Sequence, residues 1–98
     1  MLETRQLPST RWYIYILETH SGKLYTGITT DVTRRWEEHS SGKRGAKSLR
    51  GDKPVKLLMV ESSTDRSSAS KREAEIKRLR PLQKRLLINT QSPVSLLS

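Results

Sequence analysis

One short apolar run constrains this chain more than any other feature. Trp12 to Thr19 reads WYIYILET, aromatic and β-branched, the composition of a strand. His20-Ser21-Gly22-Lys23 follows as a turn, with Gly22 free to take positive φ. Leu24 to Ile28 then reads as a second strand. A connection this short cannot make a crossover, so the two strands form an antiparallel hairpin.

The rest of the order follows from caps and breakers. Asp31 or Thr30 caps a helix to about Ser40, and Gly42 stops it. Gly42 to Pro54 (GKRGAKSLRGDKP) is a basic loop. Val55 to Glu61 is a third strand, and Asp65 or Ser67 opens a helix through Arg80. Pro81 suits the first turn of a last short helix ending near Ile88. The expected fold class is α/β (α+β), a three-stranded antiparallel or mixed sheet flanked by helices in the order ββαβαα. Residues 1–11 read as a flexible arm, 12–88 as the folded domain, and 89–98 as a disordered Ser/Pro-rich tail.

Charge points to the partner. The chain of 98 residues carries a formal net charge of +9, and the excess is larger after residue 49 than before it. A phosphate backbone is the expected partner, bound more weakly as salt rises. Lys43, Arg44, Lys47, Arg50 and Lys53 in the loop, with Lys71, Arg72 and Lys77 on the basic helix, are the expected phosphate contacts. Cysteine is absent, which excludes disulfides and thiolate metal sites and favours a reducing compartment. No run is long enough to span a bilayer as a helix, so no membrane is expected. No basic-then-apolar leader opens the chain, and a cytoplasmic location is expected.

Within this frame, five side chains could carry chemistry. Side chains alternate along a strand, so Tyr13, Tyr15 and Leu17 share one face and Trp12, Ile14 and Ile16 the other. A tight hairpin sets Tyr15 near Tyr25, and paired phenols can exchange protons with water. Aromatic packing is the plainer account of either tyrosine alone. Arg35 and His39 stand four apart on one helical face, a planar donor fork beside a proton carrier. Glu73 lies between Ala69 and Ile76, on or beside the apolar stripe of the basic helix. A carboxylate there could bind a hard cation, or could simply pair with Lys77.

The order Tyr-Ile-Tyr, Tyr-Thr-Gly, Arg, His and helical Glu resembles the GIY-YIG nuclease superfamily, in particular its small single-domain bacterial members. LYTGITTDVTRRWEEH, the GAK…RG…PV run, and Ala69, Glu73, Ile76 and Lys77 carry the resemblance. It implies a GIY-YIG fold and phosphodiester hydrolysis in DNA, with branched or single-stranded DNA in repair or recombination as candidate substrates and RNA as an alternative one. It implies Tyr15, Tyr25, Arg35, His39 and Glu73 as catalytic residues. Glu73 would hold one Mg²⁺ or Mn²⁺, Arg35 would steady the phosphate, and a tyrosine or His39 would accept the proton of the attacking water. Tyr13 stands at the first motif's glycine and Thr26 at the second motif's isoleucine, and Leu49 replaces a hydroxyl residue. A chain this short leaves no room for an attached targeting domain, so a protein partner supplying specificity is expected. The alternative is a nucleic-acid-binding module with little or no catalysis.

Overall fold

The structure, a computed structural model, describes residues 11–42 and 44–90, apart from the side chain of Ser48. Lys43, most of the N-terminal arm and most of the C-terminal tail lie outside the described residues. Strands β1 (Trp12–Thr19), β2 (Leu24–Thr29) and β3 (Pro54–Ser63) form one sheet in the order β2-β1-β3. Both pairings are antiparallel. Helices α1 (Val32–Ser41), α2 (Arg66–Lys77) and α3 (Pro81–Asn89) complete the order expected from sequence. A 3-10 turn, Lys47–Leu49, interrupts the basic loop.

Local chemistry sets the ends of these elements. The Asp31 side chain accepts from the Arg34 N–H, and Gly42 closes α1 at φ 78°. Asp65 accepts from the Ser68 N–H to start α2. That helix stops at Lys77 rather than Arg80, because Arg80 precedes Pro81 and sits extended at ψ 158°. Strand β3 outruns the expected Val55–Glu61, since β1 offers partners from Thr19, opposite Pro54, to Trp12, opposite Ser63.

The sheet is covered on both faces. Ile14, Ile16 and Met59 pack with Ala69 and Ile76 of α2, and Leu87 and Ile88 of α3 close over this layer. On the other face Tyr15, Leu17 and Leu49 pack with Tyr25, Trp36 of α1, Leu57 and Val60. Arg72 binds Glu61 with Nε at 2.8 Å and Nη2 at 3.0 Å, tying α2 to β3. Arg85 binds Glu18 at 2.7 Å and ties α3 to β1. Thr26 lies opposite Ile16, and its buried hydroxyl has no hydrogen-bond partner among the described residues; nothing there explains a hydroxyl at this position.

Candidate active site

Strand β1 places Tyr15 under α1. Its register sets Tyr15 opposite Gly27 and Leu17 opposite Tyr25, so the two phenols meet on a diagonal of one face. Their ring centroids are 6.2 Å apart. Gly27 is required for this arrangement: a Cβ there would lie 2.5 Å from Tyr15 Oη and 2.7 Å from its Cζ.

Helix α1 delivers the other two groups. His39 is 1% exposed, and its Nε2 stands 2.9 Å from Tyr15 Oη. The Tyr25 ring meets His39 edge-on at 5.4 Å. His39 Nδ1 accepts the backbone N–H of Ala46 at 3.1 Å. Arg35 stands beside the same cluster, lining one small pocket with Tyr15 and His39, and its charge acts on the phenol. Its Nη1 also donates to Glu38 Oε1 at 3.0 Å and to the carbonyl of Arg44 at 2.7 Å. Arg35 and Glu38 border an open cleft of about 230 Å³, with Trp12, Thr29, Thr30 and Arg34 on its walls.

Burial decides the protonation of this cluster. It pushes the Tyr15 phenol well above its ordinary value, and the neighbouring Tyr25 adds to this, while Arg35 opposes it. Burial also lowers His39 to about 4, helped by the Arg35 charge and opposed by Glu38. Both groups are therefore neutral near pH 7. The sign for stability follows from linkage. His39 binds its proton more readily when unfolded, so the stability it contributes is fully present above pH 6.5 and is lost as pH falls toward 4. The ceiling is roughly 3 kcal/mol. Urea melts between pH 7 and 4.5 should show this loss, and His39→Gln should flatten it. Equal slopes in the two proteins would refute it.

Glu73 stands elsewhere. It rides on α2, which packs against the sheet face opposite Tyr15, and it pairs with Lys77 at 3.3 Å. Its side chain is 23% exposed. Among the described residues no hydrogen bond or ion pair joins Glu73 to the tyrosine cluster. Nor do three His, Cys, Asp or Glu gather there into a ready-made metal cage. A lone carboxylate suits Mg²⁺ or Mn²⁺ when waters and substrate phosphate oxygens complete the shell.

The basic residues divide into engaged and open. Arg72 is spent on Glu61 and Glu75, and Lys77 on Glu73. Arg44, Lys47, Arg50, Lys53 and Lys71 are exposed. Arg44 takes a left-handed φ of 59°. Sequence reasoning missed Glu38, whose i+3 spacing from Arg35 was the available signal. It also missed Asp52, which anchors the basic loop to the hairpin turn. Asp52 accepts the Thr19 hydroxyl at 2.8 Å and the Ser21 N–H at 2.9 Å.

A two-faced antiparallel sheet with paired phenols, an arginine and a histidine under one helix defines a class, and the sequence agrees with it. Residues 11–85 match the GIY-YIG catalytic domain, and the chain belongs to that family. Within it the chain resembles the UPF0213 proteins. A UPF0213 protein of Desulfotalea psychrophila is 49% identical over 79% of this chain and 70% of its own length. YhbQ of Escherichia coli is 48% identical over 81% of this chain and 78% of its own. The solution NMR structure of a UPF0213 protein from Bacillus halodurans superposes with a TM-score of 0.54 at 40% identity, covering 83% of this chain and 85% of that one. Among the described residues no helix is long and apolar enough to cross a membrane.

Proposed function

We propose that this chain is a metal-dependent endonuclease that hydrolyses phosphodiester bonds in DNA. The observation that supports this reading is the buried Tyr15–His39 hydrogen bond beside Arg35, a residue that also borders the open cleft. Packing alone has no need of a 2.9 Å polar contact here, and desolvating both partners costs free energy.

Each residue then has a task. Arg35 exchanges Glu38 for an oxygen of the scissile phosphate, a change of anion that leaves its charge paired. Tyr15 and Tyr25 face the attacking water. One of the two phenols passes its own proton to solvent as it takes the water's proton and the new P–O bond forms. The bond to the leaving sugar oxygen breaks, and that oxygen is protonated from solvent. Glu73 would hold Mg²⁺ or Mn²⁺ together with waters and phosphate oxygens. When bound, such an ion offsets charge on the phosphate and on the leaving oxygen. Arg44, Lys47, Arg50, Lys53 and Lys71 supply salt-sensitive contacts to the backbone. A chain built this way reads charge and shape rather than bases, which fits flaps, branches or single strands in DNA repair. A protein partner would add the remaining specificity.

The test is cleavage of linear, flap, branched and single-stranded DNA and of structured RNA, with Mg²⁺, Mn²⁺ or EDTA. Metal-dependent cutting that disappears in Arg35→Ala and Glu73→Ala, with circular dichroism unchanged, is the expected result. Salt-sensitive binding without cutting under any metal condition would overturn it in favour of a binding module.

A further inference from the structure

Gly45 and Ala46 have no task in this scheme, yet their backbone meets the site directly. Gly45 passes so close to α1 that a Cβ would lie 2.8 Å from the Glu38 carbonyl oxygen and 2.9 Å from His39 Cα. Only this close passage brings the next amide, that of Ala46, to His39 Nδ1 at 3.1 Å. A backbone N–H can donate and never accept. A neutral imidazole carries one N–H and one lone pair.

We infer that the Gly45-Ala46 backbone fixes His39 as the tautomer with its hydrogen on Nε2, so that His39 donates to Tyr15 Oη and the Tyr15 proton points away from His39, on the side of Tyr25. This rests on reading Tyr15 as a reacting group. It removes one of the two candidate proton acceptors. His39 Nε2 has no lone pair to offer, and Nδ1 is occupied by the amide. His39 is then a positioning residue: it holds the phenol oxygen in place and remains a donor to that oxygen when the proton leaves. Arg35 lies beside the same phenol, and its positive charge favours the oxygen once the proton has left. A fixed donor and a nearby cation at an oxygen that gains charge are the arrangement expected of an electrostatic stabiliser.

The experiment is nuclear magnetic resonance of the full chain labelled with ¹⁵N at histidine, with His20 and His39 told apart by His39→Gln. A protonated-type Nε2 and an unprotonated-type Nδ1 for His39 at pH 7 are expected. The reverse pattern would overturn the inference. Tyr15→Phe should leave the pattern unchanged, because the lock acts from the Ala46 side. Ala46→Pro deletes the N–H at a residue whose φ of −60° proline accepts. It should give a mixture of tautomers, and an unchanged pattern there would sink the role given to this amide. If Ala46→Pro does not fold, the wild-type spectrum alone decides. A locked tautomer in a protein that cuts no substrate would count against the nuclease and leave the lock standing.

Discussion

The expected result of Gly27→Ala is a loss of the proposed cleavage on the order of 100-fold while the sheet survives. The added methyl would fall 2.5 Å from Tyr15 Oη and 2.7 Å from Cζ, too close to coexist with the ring where it lies. The obstructing atoms are the far end of a side chain, so the clash is relieved by moving the ring rather than the strand. Tyr15 is 3% exposed and holds His39 at 2.9 Å, so any such movement breaks that bond and shifts the phenol from Arg35. The damage therefore falls on the site. Overpacking of this kind costs the fold about 1–3 kcal/mol. Gly51→Ala is the matched control, since a Cβ there meets nothing within 4 Å. Turnover and thermal melts of the two variants decide the matter. Near-normal cleavage by Gly27→Ala would show that Tyr15 need not lie where it does.

The second large effect is on stability. Ile16→Ala removes a side chain that is 0% exposed at the centre of β1, against Met59, Ala69 and Ile76. Such truncations cost about 2–5 kcal/mol. A small domain has roughly 5–15 kcal/mol in total, so this variant should lose much of its cooperative urea transition or melt far lower. Leu86→Ala, at a side chain 58% exposed on α3, should change stability by less than about 0.5 kcal/mol. A loss under about 1 kcal/mol for Ile16→Ala would mean that the sheet face under α2 is not the main core.

Much of the fold was legible because its signals are local. The alternation in WYIYILET, the caps at Asp31 and Asp65, and the stop at Gly42 each act within a few residues. The sequence spacing also placed Arg35 and His39 on one face of α1, and both line one pocket with Tyr15, His39 bonding it. What was not legible depends on contacts between distant segments. The reach of β3 to Pro54 and Ser63 depends on the length of β1. The 3-10 turn exists because Leu49 is drawn into the layer around Tyr15 and Leu17, and a basic loop gives no periodicity from which to foresee that. Asp52 looked like one more loop residue, and only folding brings it to Thr19 and Ser21.

The alternation of β1 has a consequence for how this chain can change. Ile14 and Ile16 answer to α2, while Tyr15 and Leu17 answer to α1 and the basic loop. One strand thus keeps two separate accounts, written on alternate letters. Substitutions on the odd-numbered letters can retune the chemistry while the hydrophobic layer beneath α2 stays intact. Those on the even-numbered letters spend stability and leave the phenols in place. A lineage of such chains can therefore vary the layer beneath α2 without touching the phenols, whereas the phenol face, which also buries Leu17, carries chemistry and robustness together.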